Sequence, residues 1–237
     1  MHRFSREEQL IGPQGMEALG RARVAVFGAG GVGGYVIEAL ARAGVGAMDI
    51  IDHDSISLTN CNRQVLALES TLGMPKAQAA AQRVGDINPG CRVRGLPLFF
   101  TGEGDGLDFA RYDYVVDAVD TVAAKLSLIR LCREAGTPVV SCMGTGNKLD
   151  PTAFRVAEIE KTSVCPLARV MRRELKKLGI AGVRVVYSTE PPCAPMGPAE
   201  EKAGGRPAPG SLSYVPAAAG LLLAAVVVNG LLGRDFG

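Results

Sequence analysis

The feature that most restricts what this chain can fold into is a glycine cluster placed directly after a short valine-rich run. ARVAVFG (residues 22–28) is followed by AGGVGG, which sets Gly28, Gly30, Gly31, Gly33 and Gly34 close together. Glycines so spaced allow a tight turn and let backbone amides approach an anion. YVIEALARAG (residues 35–44) then carries apolar residues at helical spacing in Val36, Ile37, Leu40 and Ala41. Such a helix directs its first N–H groups and positive dipole end at the turn, a physical fit to phosphate. AMDIIDHD follows as a second strand ending in Asp52, so strand, glycine turn, helix and acid-tipped strand form a mononucleotide-binding unit. On its own the turn suits NAD and ATP equally, since Asp52 could bond a ribose hydroxyl pair in either, and close helix-sheet packing is a third use of the glycines.

The alternating pattern continues. SISLTNCNRQ reads as a loop, residues 74–87 as a helix opened by Pro75, residues 91–100 and 113–120 as strands, 123–135 as a helix and 137–144 as a strand. The expectation is an α/β fold, a Rossmann-like, doubly wound, mainly parallel sheet over residues 1–150 with additional strands and helices in 151–237, all in one domain. The second part reads as an edge strand (154–159), an amphipathic helix (165–179), a strand (182–188) and a long, mobile Pro- and Gly-rich loop (about 189–212). With 47% hydrophobic residues in 237, the chain has apolar content for one sizeable core, and a wholly disordered chain is excluded.

The strongest apolar run, residues 215–232, is interrupted or flanked by Pro216, Gly220, Asn229 and Gly230 and falls short of a clean membrane span. It is expected to be a buried terminal helix, with membrane contact as the lesser alternative. The charged MHRFSREEQL is not expected to be a signal peptide, and six scattered cysteines without a CxxC pair argue against a cysteine-rich zinc site and for the cytoplasm. The formal net charge is +2, yet Lys161, Arg169, Arg172, Arg173, Lys176, Lys177 and Arg184 are opposed only by Glu174 between residues 161 and 184. That run is either a solvated helix face or a polyanion contact.

What separates NAD from ATP is the residues after Asp52. His53, the natural candidate for a hydride-site proton donor, stands beside the ribose acid in no arrangement that makes it catalytic. Asn60, Arg63 and Lys76 lie within 25 residues of Asp52 and are expected at the same crevice. Two fixed cations and an amide near a triphosphate are what phosphoryl or nucleotidyl transfer requires, and Asp120 after its strand could hold Mg2+.

GAGGVGGYVIEALARAGVG, DHDSISLTNCNRQ, GMPKAQ, DINP and VVDAVDT together resemble the nucleotide-binding core of the ubiquitin-activating-enzyme-like superfamily. RFSREEQLIG, GTGNKLDPTAF, KTSVCPLARVMRRELKKLGI, VVYSTEPP and SLSYVPAAAG extend the resemblance over nearly the whole chain, to the tRNA threonylcarbamoyladenosine dehydratase group. The resemblance implies ATP-dependent activation of the threonylcarbamoyl carboxylate beside the anticodon, as an acyl-adenylate, then cyclisation with loss of water. It implies that Gly28, Gly30, Gly31, Gly33, Asp52, Asp54, Asn60, Arg63, Lys76 and Asp120 bind the nucleotide, Asp120 with Mg2+. Arg6, Arg63, Lys76 and Asp120 would be catalytic, Arg6 serving the neighbouring subunit of a homodimer. A tRNA partner makes Arg169, Arg172, Arg173, Lys176 and Lys177 candidates for its backbone.

Lys148 and Asp150 are read as substrate-site or loop residues. Cys165 is expected to be structural, and Cys193 exposed enough to meet a sulfur donor or oxidant. A monovalent cation is left open. The alternative is adenylation of a sulfur-carrier protein's C-terminus, with a sulfur-transfer partner, although this chain has neither paired CxxC motifs nor a cysteine that its spacing marks as a thioester former.

Overall fold

In the computed structural model, residues 2–102, 105–197 and 208–237 are described. Seven strands form one sheet: β1 (Arg23–Phe27), β2 (Ala47–Ile51), β3 (Arg92–Leu96), β4 (Tyr114–Asp117), β5 (Val139–Cys142), β6 (Phe154–Glu158) and β7 (Arg184–Ser188). Their order is β3-β2-β1-β4-β5-β7-β6, and every pairing is parallel except that of β6 with β7. The order runs outward in both directions from β1, so a crevice opens at the carboxyl ends of β1 and β4, where such sheets hold ligands. The edge strand expected over residues 154–159 is β6, Phe154–Glu158.

Helices cover both faces. The main chain elements are α1 (Ser5–Arg21), α2 (Gly33–Arg42), α3 (Lys76–Ile87), α4 (Val122–Ala135), α5 (Pro166–Lys177) and α6 (Tyr214–Leu231). On β1, Val24 and Val26 point into one core with residues of α2, α3 and α6, while Ala25 and Phe27 point into another with Leu128 and Cys132 of α4. This two-residue alternation with apolar side chains on both faces is the signature of a strand buried on both sides.

Helix α6 is long and apolar enough to cross a membrane. Its row Val215, Ala219, Leu223 and Val227 is nonetheless fully buried, in the core shared with α2, β4 and β5. Four-residue spacing places that row on one face. The opposite face carries Tyr214 and Leu221, each about half exposed.

Two departures from the sequence expectation stand out. Helix α1 was not anticipated, because Gly12, Pro13 and Gly15 interrupt its periodicity; Gly12 adopts φ 72° and kinks it. Strand β3 ends at Leu96 instead of residue 100, since Pro97 offers no N–H to extend the ladder. Of the expected long loop, residues 189–197 and 208–212 are irregular and 198–207 lie outside the described residues.

Candidate active site

The crevice holds a cavity of about 660 Å³ lined by Gly28, Gly30, Gly31, Asp52, Asp54, Asn60, Arg63, Lys76 and Asp120. The turn at its floor requires glycine. Gly28 has φ 90°, and a Cβ there would stand 2.6 Å from the Ala118 carbonyl oxygen; a Cβ on Gly33 would meet the Gly28 oxygen at 1.7 Å. Gly33 therefore shapes the turn without lining the cavity. Val32, at the N-cap of α2, makes no side-chain cap bond, so the first amides of α2 are not capped in that way.

Asp52 braces this turn. Its Oδ2 accepts from Ala29 N at 2.6 Å and its Oδ1 from Asp54 N at 2.8 Å. A carboxylate oxygen can accept more than one bond, which leaves capacity for a ribose hydroxyl. Lys76 is the first residue of α3 and is 6% exposed, with Nζ 2.7 Å from Asp54 Oδ2. Asp54 is thus the group that holds Lys76, and its other oxygen lies 3.2 Å from His53 Nε2. The His53 ring meets Phe99 edge to face at 4.6 Å, and both line the cavity.

Asn60 is buried, its Oδ1 accepting from Ser57 N at 3.2 Å in a short helical turn (residues 58–60). Arg63 donates through Nη1 to Thr59 O at 2.9 Å and to Asn62 Oδ1 at 2.8 Å. Asp120 sits in the turn between β4 and α4. Beneath it lies a buried cluster that sequence reasoning missed: Lys125 Nζ is 3.1 and 3.2 Å from the Asp117 carboxylate oxygens and 2.7 Å from Cys142 O. Ser141 Oγ donates to Asp117 at 2.5 Å, and Val119 N donates to it at 3.2 Å. A lysine at helical spacing reads as solvent-facing, so only the fold exposes this role.

Gln64 was also missed. It is 7% exposed, lines the cavity and leaves Oε1 without a hydrogen-bond partner among the described residues. Buried polar atoms are nearly always paired, so this atom calls for a donor from a bound molecule or water. The far wall, Met143, Gly144, Thr145, Gly146 and Leu167, continues the cavity beyond Asp120.

Other expected residues lie elsewhere. Arg6 is exposed on α1 and does not line this cavity. On α5, Arg172 donates to Thr162 O at 2.7 Å and Thr162 Oγ1 at 2.8 Å, while Arg173 and Lys177 pair with Glu174. Arg172 therefore ties α5 to the preceding loop; Arg169 and Lys176 are exposed. Lys148 is buried and donates to Glu190 O, and Asp150 accepts from Thr152 N at 2.8 Å, so both are loop residues outside the cavity lining.

Cys165 is buried at the start of α5. Cys193 is partly exposed, and its backbone N donates to Asn147 O at 2.9 Å. Burial pushes the Cys142 thiol at the cavity wall up to about 12, against an attenuating pull from Lys125. It is protonated at neutral pH and no nucleophile.

Metal-ligating side chains also meet here. Ligand atoms of Asp52, His53 and Asp54 lie within 4.8 Å of one another, but the bonds to Ala29, Lys76 and the Asp54 amide already engage the two carboxylates. Asp120, an oxygen donor on the cavity wall, fits a hard cation such as Mg2+.

The sequence matches the ThiF family over residues 4–236. It is 42% identical to the tRNA threonylcarbamoyladenosine dehydratase of Bacillus subtilis, over 98% of this chain and 95% of that protein. It superposes with a TM-score of 0.86 on the crystal structure of the Escherichia coli tRNA N6-threonylcarbamoyladenosine dehydratase in complex with ATP, at 34% identity, covering 98% of this chain and 94% of the other. Similarity to the sulfur carrier protein adenylyltransferase of Thermus thermophilus, 39% identical, covers only 55% of this chain and 48% of that protein.

Proposed function

This chain belongs to the ThiF family, and from that premise we propose that it is an ATP-dependent tRNA threonylcarbamoyladenosine dehydratase. The observation that carries the reading is likeness along the whole chain, to a dehydratase in sequence and to an ATP-bound dehydratase in structure, on a cavity built for a nucleotide. The likeness to a sulfur-carrier adenylyltransferase is confined to about half the chain.

The chemistry follows from the groups present. A carboxylate resists attack because its charge repels a nucleophile and oxide is a poor leaving group. Transfer of AMP to the threonylcarbamoyl carboxylate supplies a good leaving group. The glycine-turn amides hold phosphate, Asp52 receives the ribose, and Arg63 and Lys76 neutralise charge where it develops. Asn60 and Gln64 offer polar contacts on the same wall. Asp120 would hold Mg2+, which supplies further charge neutralisation at the phosphates. The carbamoyl group then attacks the activated carbonyl from within the same molecule, and such proximity is worth up to about 7–11 kcal/mol when placement is ideal. This sequence needs no covalent protein nucleophile.

The exposed Arg6 on α1 and the half-exposed apolar face of α6 support a homodimer in which each subunit lends Arg6 to the other's site. Arg169 and Lys176 remain as the α5 cations offered to a tRNA backbone. Free cysteines and a tRNA substrate suit the cytoplasm. The deciding experiment incubates the protein with ATP, Mg2+ and tRNA bearing threonylcarbamoyladenosine and measures nucleoside mass. Loss of one water is expected; an unchanged mass from a folded preparation refutes the assignment.

A further inference from the structure

Residues 208–211 form a strap on the mouth of the ATP cavity, fastened on both sides by asparagines. Asn147 lies beyond β5 in the loop whose Gly144, Thr145 and Gly146 line the cavity, and it adopts φ 55°. Few side chains tolerate that conformation, and Asn is among them. There its N donates to Gly210 O at 2.8 Å and its Oδ1 accepts from Gly210 N at 2.7 Å. A Cβ on Gly146 would meet Pro209 Cβ at 2.6 Å, so glycine lets the strap sit this close.

Opposite, Asn62 Nδ2 donates to Ser211 O at 2.9 Å while Asn62 Oδ1 accepts from Arg63 Nη1 at 2.8 Å. One amide thus fastens the strap and orients the guanidinium assigned to the phosphates. The strap separates the 660 Å³ cavity from an outer hollow of about 320 Å³; Thr59, Arg63, Ala208, Pro209 and Ser211 line both.

We propose that Asn62 and Asn147 are positioning residues that keep residues 208–211 seated so that water does not reach the activated carboxylate. The proposal rests on the carboxylate-activation reading above. In the productive step a carbamoyl lone pair forms a bond to the activated carbon, the carbon–oxygen bond to AMP breaks with its electrons leaving on AMP, and the carbamoyl N–H proton is lost. If water attacks the same carbon, AMP leaves identically, but the original carboxylate returns and ATP is consumed without product. Exclusion of water from a reactive intermediate is a recognised function of active-site walls.

The test measures ATP consumed per nucleoside cyclised, with modified tRNA and Mg2+. Asn147→Gly keeps the left-handed backbone and removes only the acceptor; Asn147→Asp keeps an acceptor. Asn62→Asp keeps the Arg63 partner and removes the donor to Ser211. Loss of one such bond shifts the seated-to-unseated ratio about fivefold to tenfold.

Wild type and Asn147→Asp should consume about one ATP per product. For Asn147→Gly and Asn62→Asp the ATP consumed in excess of one per product should rise about fivefold to tenfold, with Gly210 amide exchange faster in Asn147→Gly at an unchanged melting temperature. A ratio of one in both of those variants overturns the proposal, as does Asn147→Asp behaving like Asn147→Gly, or activity lost with the ratio unaltered. Absence of cyclisation by wild type refutes instead the functional reading on which it rests.

Discussion

Replacing Lys125 with methionine tests whether the buried ion pair under Asp120 is a structural keystone. Lys125 is 1% exposed and Asp117 is fully buried. Methionine fills the aliphatic volume but removes the donor shared by Asp117, Ser141 and Cys142 O. Removing one partner of a buried pair costs about 3–5 kcal/mol, because the other charge is left without compensation. Ser141 Oγ and Val119 N still donate to Asp117, which places the expected loss near the lower end, about 3 kcal/mol. At about 2–4 °C per kcal/mol for a chain of this length, the melting temperature should fall by roughly 6–12 °C.

Urea unfolding, followed by two spectroscopic probes, supplies the free energy. Asp117→Asn added to Lys125→Met should recover part of the loss, giving a coupling of about 1–3 kcal/mol in a double-mutant cycle. Since Val119 N is bonded to Asp117, loosening the pair also shifts the turn that carries Asp120. The value of kcat/KM should then fall about tenfold or more at a temperature where the variant is folded. A loss under about 1 kcal/mol, the range of solvated surface pairs, or additive effects in the cycle would refute the reasoning.

Three further outcomes follow from other parts of the molecule. Burial pushes Asp49 up, but hydrogen bonds from Arg94, Tyr112 and Arg23 outweigh it and leave its carboxyl below the ordinary range. A lowered folded value contributes stability above the unfolded value, about 3.9, that is lost as pH falls through the folded one; Asp49→Asn should flatten that acid limb in urea melts at about pH 2–5, and an unchanged limb counts against the network. Arg169→Gln with Lys176→Gln should weaken tRNA binding and lower the salt slope by up to about two, roughly one for each phosphate no longer neutralised; an unaltered slope in filter binding removes α5 from the interface. Mixing inactive Arg6→Ala and Lys76→Ala proteins under exchange should restore activity if Arg6 acts across a dimer, whereas no recovery from verified mixed dimers would place Arg6 outside the partner's site.

Some of this molecule is legible from local sequence because the causes are local. The glycines of the first turn, the valine-rich strands and the apolar period of α2 mark a doubly wound, mainly parallel sheet and its phosphate-holding turn without knowledge of distant residues; the strand order is read from the structure. Asp52 and Asp120 could be nominated because each follows a strand that the pattern already locates, and Arg63, in a loop, and Lys76, at the start of α3, because they are cations close to Asp52 in the chain. Helix α1 escapes a reading of local period because Gly12 and Pro13 break it, and spacing does not report that Arg172 turns back to Thr162.

What the sequence by itself determined is therefore the layered fold, the phosphate-holding turn and the identity of the nucleotide. Tertiary structure alone decided how the site is held. Asn62 reaches Ser211 across 149 positions and Asn147 meets Gly210 across 63. Lys125, polar by composition, lies in the core because Asp117 and the Cys142 carbonyl are there to receive it. Hydrogen bonds between residues so far apart depend on the packed sheet that brings them together, and no local period or propensity encodes that distance.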